Sequence, residues 1–393
     1  MRLVEVSAFR ARIPLRRTIR HASHTRTESE SLVVRCRLDD GAVGWGEGLP
    51  RPYVTGETAD DAWQLWRDGP WREGVPRSWS SLSELVAGLD HLRVADPAPG
   101  RRDCFGHALR CAIELAVLDA AFRSAGRPLM DLVDFVPETL SIRCRTPRVR
   151  YGAAVTPQSG WREWIRAYKL WVWNFHQIKV KVGVAGCDDA TTLRRLRTLC
   201  GERVDLRADA NEAWTCATLE ARLAPLASFG LTALEQPVPH AEVDGLADLR
   251  RSLGVPIMLD ESLCSLTDGH RAVERGTCDL FNIRLSKCGG PIPSLKLAAL
   301  AHRAGLASQL GCQVGETGIL SAAGRHFACS VAGLRYLEGS FDRYLVRERL
   351  TREDLTFKHG GWAHAINAPG LGVDIDPAAL RRVTFAEDHW LAR

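Results

Sequence analysis

The chain has 393 residues, 45% of them hydrophobic and 25% charged, with a formal net charge of +5, the profile of a globular protein longer than one typical domain. So small a charge over this length, with no arginine- or lysine-dense stripe interleaved with aromatics, argues against nucleic acid as a partner. The longest apolar helical stretch, Ala112 to Phe122, is interrupted by Glu114 and Asp119, so no segment is expected to enter a membrane, and twelve cysteines without a C-x-x-C pair, a zinc spacing or a secretory leader point to reduced thiols in the cytoplasm.

The first fifty residues read as a small antiparallel sheet. Leu3, Val4, Val6, Ala8 and Phe9 begin a strand, Ser31 to Leu38 continues with a β-rich run, and Asp39-Asp40-Gly41 marks a turn before Ala42 to Glu47. Gly44, Gly46 and Gly48 have no helix directly after them, so close backbone approach in a hairpin explains them better than a nucleotide loop. Arg16 to Arg26, with four further arginines or histidines between them, reads as a polar loop, open to a solvated or a functional reading. Helical periodicity runs from Thr58, an N-cap, to Leu92, and again from Asp103 to Ser124, where Gly126-Arg127-Pro128 stops it.

From about residue 150 the texture becomes a repeat of strand, polar loop and helix. Strands are expected to end near Val155, Lys181, Asp209, Glu235, Asp260, Arg284, Gly311 and Glu338, with amphipathic segments such as Asp188 to Leu199, Thr215 to Phe229, Pro291 to Ala304 and Gly318 to Ser330 between them. A spacing of about 26 residues is that of a β/α unit, and eight such units close a barrel. The fold class expected is therefore α/β. The tail from about Arg347, rich in glycine and proline, is expected to fold back onto the N-terminal sheet.

Within this repeat, Ile178-Lys179-Val180-Lys181 puts two lysines on one face of a strand. Only six of the 52 basic residues are lysine, and lysine, unlike arginine, can give up its proton. Acidic residues then recur in phase at the strand ends, Asp209, Glu235 and Asp260, followed by Lys287; the gaps from Lys181 are 28, 26, 25 and 27 residues. Three converging carboxylates repel unless a hard divalent cation sits among them, and oxygen ligands select magnesium or manganese. A cation so held stabilises the enediolate formed when a carboxylate substrate loses its α-proton. Lys181 and Lys287, on opposite sides of the barrel, are placed to act as bases from the two faces, with Lys179 lowering the pKa of Lys181.

Lys179-x-Lys181, Asp209-x-Asn211, Glu235-Gln236-Pro237, Asp260-Glu261 and Lys287-x-Gly289-Gly290 together resemble the signature of the enolase superfamily, and within it the muconate lactonizing enzyme (muconate cycloisomerase) subgroup. The resemblance implies a modified (β/α)8 TIM-type barrel with an N-terminal α+β capping domain completed by the C-terminal tail: residues 1–135 the cap with its lid loops, 136–346 the barrel, 347–393 the return to the cap. It implies Lys181, Lys287 and Lys179 as catalytic residues, Asp209, Glu235 and Asp260 as ligands of Mg2+ or Mn2+, and Asn211 and Glu261 beside them. Substrate contacts would come from Arg20, His21 and His24 in the first lid loop, Tyr53 in the second, Glu316 after the seventh strand, and Glu338 at the eighth. Gln309-Leu310-Gly311-Cys312 lacks the histidine of the mandelate racemase subgroup, and Tyr336-Leu337-Glu338 lacks the Asp-x-Asp of dipeptide epimerases.

The implied activity is a cycloisomerase, racemase or epimerase acting on a small carboxylate in a homo-oligomer, from dimer to octamer. A syn-dehydratase, of the o-succinylbenzoate synthase or acid-sugar type, is the alternative on the same scaffold. A relative that keeps the barrel without its chemistry, or an unrelated metal-dependent aldolase or hydrolase, accounts less well for the filled motif positions.

Overall fold

The computed structural model describes residues 1–20, 25–157 and 161–392. Fourteen strands among them, numbered in chain order, form three sheets. The N-terminal sheet is antiparallel, with β1 (Leu3–Arg20), β2 (Thr25–Leu38) and β3 (Val43–Gly48) joined at the open edge of β1 by β14 (Thr384–Leu391) from the far end of the chain.

The β1/β2 hairpin is longer than its sequence announces. Ile19 pairs with Arg26 and Arg20 with Thr25, so most of the arginine-rich stretch expected to be a loop is strand, and residues 21–24 at its tip lie outside the described residues. Backbone pairing extends this arm past a register shift between Pro14 and Ile19. Its exposed charged side chains carry no apolar alternation, which is why the pattern did not signal a strand.

The glycines of β3 are explained by the helix His107–Ser124 lying across them. A Cβ on Gly44 would fall 2.2 Å from Ala116 O, one on Gly46 2.0 Å from Ala112 O, and one on Gly48 1.9 Å from Ala108 O. Every second strand residue thus meets every fourth helix residue, backbone to backbone. The two acids that interrupt this helix are buried ties: Asp119 accepts from Trp45 N (2.9 Å) and Leu371 N (2.6 Å), and Glu114 from Ile292 N (2.7 Å). They bind the helix to β3, to the C-terminal segment and to the barrel.

After a two-stranded ribbon of β4 (Arg148–Arg150) and β13 (Trp362–His364), eight parallel strands follow: β5 (Ala153–Val155), β6 (Gln177–Lys181), β7 (Asp205–Asp209), β8 (Leu231–Glu235), β9 (Ile257–Leu259), β10 (Leu280–Ile283), β11 (Ala307–Leu310) and β12 (Leu334–Leu337). Each pairs with the next in sequence, and Gly152 N donates to Leu337 O at 2.9 Å, joining the first edge to the last. Helices Asp189–Cys200, Pro291–Arg303 and Gly318–Ser330 lie where periodicity places them. The segment expected as one helix over 215–229 is instead a short helix, Leu219–Leu223, running into a 3-10 turn, Ala224–Phe229, because Pro225 withholds a backbone donor. Among the described residues no helix is long and apolar enough to cross a membrane.

If the β3 seam admits no side chain, Gly46→Ala should lower stability by about 1–3 kcal/mol or more, read as a fall in Tm by circular dichroism. Gly74→Ala, whose new Cβ would have no atom nearer than 3.5 Å, should cost far less.

Candidate active site

Parallel strands of one register bring their carboxyl ends to one rim. Lys181 pairs with Asp209 and Asp209 with Glu235, while Asp260 follows directly on β9. Two residues back along β6 and β7, on the same inward face, stand Lys179 and Arg207. The backbone turns sharply just beyond these positions: Asn211, Gln236 and Ser340 have φ of 43°, 37° and 52°, a conformation side chains rarely adopt unless their surroundings hold it. Gln236 shows how it is held, its Oε1 accepting from Asp260 N (2.8 Å) and Ser262 N (3.1 Å) while its Nε2 donates to Val238 O (2.8 Å).

The structure brings nine of the expected residues into one buried network. Lys179 Nζ lies 2.9 Å from Glu338, 3.3 Å from Asp209 and 3.4 Å from Glu235. Lys181 Nζ donates to Asn211 Oδ1 at 2.7 Å, and Asn211 Nδ2 to Glu261 Oε1 at 3.4 Å. Lys287 Nζ donates to Asp260 O (2.6 Å), Asn282 O (2.8 Å) and Asp260 Oδ1 (3.0 Å). β6 and β10, the strands leading to Lys181 and Lys287, are four apart in the eight-stranded ring, which sets the two ammonium groups across the barrel from each other.

Burial works on each charge differently. It pulls the pKa of Lys181 and of Lys287 below the ordinary lysine value, and Lys179 lowers that of Lys181 further, although Asp209 opposes the shift. For Lys179 burial is overcome by Glu235, Glu338 and Asp209, and its pKa is raised. Lys179 and Arg207 likewise hold Glu338 down at about 2 against burial, whereas burial and the neighbouring Asp209, Glu212 and Glu235 push Glu261 up to about 8. The result is one fixed cation, Lys179, in a network with two lysines that burial makes easier to deprotonate.

The rim residues sit differently. Glu338, expected to contact substrate, has its oxygens on Lys179 and on the buried Arg207, so it belongs to the charge network beneath the rim. Glu316 accepts from Gln313 N at 2.6 Å, lines a small cavity with Glu338, and is pushed up to about 8 by burial. Tyr53 is half-buried with the Arg26 guanidinium 5.3 Å from its ring centroid. His21 and His24 lie outside the described residues, as does the side chain of Arg20.

Several contributors were not anticipated. Arg284 contacts Asp260 and lies 3.7 Å from Glu235, and Asn282 Nδ2 donates to Glu235 Oε1 at 2.7 Å. From the cap, His107 Nδ1 is hydrogen-bonded to Lys287 O at 3.0 Å, and buried Arg51 donates to Ser29 Oγ (2.9 Å) and Val314 O (3.0 Å), tying the N-terminal hairpin to the loop after β11. Counting back by two from Asp209 would have found Arg207; the others are contacts between distant segments, for which the sequence carries no periodic signal.

The donors fit a hard divalent cation in type and number: three oxygen ligands on adjacent strand ends, with Glu235 Oε2 and Glu261 Oε2 buried and accepting no hydrogen bond. Asp209, Glu235, Asp260, Glu261 and Glu338 face Lys179, Lys181, Arg207, Arg284 and Lys287, so a lysine that gives up its proton leaves a negative charge for a cation to balance. Here Lys179 and Arg284 stand between the carboxylates, and no three acidic, histidine or cysteine side chains among the described residues form a metal group.

A barrel with lysines facing across its mouth over in-phase acids defines a class, and the chain belongs to the enolase superfamily: residues 162–379 match the family described as Enolase C-terminal domain-like. A hydrophobic dipeptide epimerase of Enterococcus faecalis is 28% identical over 336 residues, 84% of this chain and 88% of that protein. The crystal structure of a dipeptide epimerase from that organism, complexed with Mg and the dipeptide L-Leu-L-Tyr, has a TM-score of 0.79 at 24% identity over 95% of this chain and 100% of that one. An N-succinyl-L-Arg/Lys racemase of Bacillus cereus is 25% identical over 398 residues, 99% of each chain, and the crystal structure of N-succinyl Arg/Lys racemase from the same organism has a TM-score of 0.87 at 22% identity, covering 99% of this chain and 100% of that one. A chloromuconate cycloisomerase of Pseudomonas putida is 27% identical over 392 residues, 98% of this chain and 100% of that protein. These relatives are isomerases, and they fit the muconate lactonizing enzyme subgroup.

Glu338 should be a stability determinant as well as a site residue. Its folded pKa of about 2 lies below the ordinary 4.5, so its contribution is complete above about pH 4.5 and is lost as pH falls toward 2. Glu338→Leu, which leaves Lys179 and Arg207 without that partner, should cost about 3–5 kcal/mol, and its stability should fall less steeply than that of the parent protein between pH 4.5 and 2 in urea titrations.

Proposed function

We propose that this protein is a racemase or epimerase that removes the α-proton of a small carboxylate substrate on one face and returns a proton on the other, using Lys181 and Lys287. The observation that carries the reading is the pair of lysines set across the barrel, both with pKa lowered by burial, with the charge of Lys179 held among the acids one pleat behind Lys181. A neutral lysine accepts the proton, and an ammonium opposite donates one. Proton transfer by such groups accounts for about 3–5 kcal/mol, too little for so weak a carbon acid. Asp209, Glu235 and Asp260 would hold Mg2+, or Mn2+ in its place, whose divalent charge would stabilise the carboxylate dianion left by proton removal. Asn211 positions Lys181 through its 2.7 Å bond, and the Asp260 and Asn282 carbonyls aim Lys287.

The eighth strand end bears on the substrate. Glu338 is committed to Lys179 and Arg207, which leaves no free acid there for a substrate ammonium, and the lid side carries Arg26 beside Tyr53. This favours an N-acylated amino acid over a dipeptide with a free amino terminus. The buried Glu316, pushed up to about 8 and so able to hold a proton at neutral pH, is the one observation that favours cycloisomerisation, with a single lysine as base; a syn-dehydratase would use the same network. Twelve cysteines without a disulfide accord with a reducing compartment such as the cytoplasm, and a homo-oligomer from dimer to octamer is the proposed assembly.

Two-base racemisation predicts α-deuterium in recovered N-acyl amino acid incubated in D2O with Mg2+. Lys181→Ala and Lys287→Ala should each abolish wash-in for one enantiomer, by about a hundredfold or more; loss of neither, or products of addition or elimination without wash-in, would sink this reading. The rate should rise with pH as the base lysine deprotonates, along a limb below that of an ordinary lysine. In calorimetric titrations Asp260→Asn should weaken Mg2+ binding, and a parent chain that takes up no Mg2+ would exclude the metal assignment.

A further inference from the structure

The ring of helices around the barrel is incomplete at its last unit. The first unit carries the helix Trp161–Val172 and the seventh the helix Gly318–Ser330, but after β12 a single turn, Asp342–Leu345, takes the place of the eighth. A recess of about 430 Å3 opens there, on the outside of the barrel, with none of Lys179, Lys181 and Lys287 in its lining. Its floor is a continuous run of aromatic rings: Trp173 to Phe175 at 6.3 Å, Phe175 to Phe357 at 5.6 Å, Phe357 to Phe341 at 5.9 Å and Phe341 to Tyr344 at 5.1 Å between centroids. Phe341 and Tyr344 are exposed at its edge.

Charge on the rim is of one sign. Lys169, Arg17 and Arg166 line it, and no acidic side chain among the described residues does. Arg166 donates to Thr156 O, whereas the side chains of Lys169 and Arg17 make no ion pair or hydrogen bond among the described residues and are exposed. A mostly apolar hollow of this size with a few polar groups at one edge has the proportions of a small-molecule site, and stacked rings below unpaired cations select a flat apolar body bearing an anionic group.

We infer that this recess binds a small amphiphilic aromatic anion, at a site separate from the barrel mouth. Its occupant would touch two parts of the molecule that lead to the mouth. Arg17 lies on β1, four residues before the tip of the N-terminal hairpin, and Phe341 three residues beyond Glu338. The site is independent of the racemase reading, and its test leaves the catalytic pocket out.

The probe is naphthalene-2-sulfonate, titrated calorimetrically into the full chain in EDTA in the Lys181→Ala background, with 2-naphthylmethylammonium as the cationic counterpart. Saturable binding of one sulfonate per chain with Kd below about 1 mM is expected, at least about tenfold tighter than the cation. Arg17→Glu with Lys169→Glu should weaken the sulfonate about tenfold or more, and Tyr344→Ala should do so through loss of a ring, both with unchanged circular dichroism; neither variant alters a residue of the charge network. Equal affinity for the cation, or unchanged affinity in both variants, would overturn the inference. So would an assembly in analytical ultracentrifugation that Tyr344→Arg converts to single chains, since a second copy would then fill the recess.

Discussion

Burying the carboxylates of Asp209, Glu235 and Glu338 at one end of a barrel is tolerable because the Lys179 ammonium lies within 3.4 Å of all three. Like charges brought together away from water repel strongly, and desolvation adds several kcal/mol for each ion. A compact ammonium on a flexible stem can reach oxygens arriving from three strands, which a planar guanidinium cannot do so readily. Arginine serves where the geometry is simpler: Arg207 beneath Glu338 and Arg284 beside Asp260. In a chain with six lysines among 52 basic residues, placing three of them in this network reflects what their chemistry allows. The cation that neutralises the acids also depresses the neighbouring Lys181, so one residue underlies both the packing of the site and its proposed reactivity.

The site is finished from outside the barrel. His107 at the start of the cap helix holds the Lys287 carbonyl, and Glu47 at the end of β3 accepts from Thr317 N and Oγ1 at the start of the helix after β11. Arg51 spans the hairpin, its own loop and the β11 loop. Each of these is a polar contact made across the two layers. The N-terminal sheet and its helix therefore help to fix the backbone that carries one of the two lysines.

The period of the repeat made the barrel legible, since a strand, loop and helix of similar length must recur if eight units are to close. Strand ends expected at Lys181, Asp209 and Glu235 coincide with those observed. Much of the candidate site was legible for the same reason, because residues in phase with the repeat converge on one rim. What did not show was contact between segments far apart in the chain, such as Arg284 with Asp260 or Asn282 with Glu235, which depends on how rotamers meet in three dimensions. Glu338 was found as a residue but given the wrong neighbours, since nothing near it in sequence reveals that Arg207 lies beneath. The hairpin arm was missed because its charged side chains show no apolar alternation, and the helix over 215–229 was overextended across Pro225.

The meeting of β3 with the helix His107–Ser124 has a metric side. Two residues of strand advance about 6.7 Å and four residues of helix about 6.0 Å, so the two ladders coincide within about 0.7 Å per rung, close enough for Gly44, Gly46 and Gly48 to engage Ala116, Ala112 and Ala108 in succession. The pair works as a rack and pinion with matched teeth. Slippage by one strand residue would drive Trp45 or Glu47 against the helix, so only one setting is available. Because the loop that ties to Ser286 and Val314 leaves the strand at the last tooth and the helix begins beside Lys287, that setting fixes where the loop stands relative to the lysine.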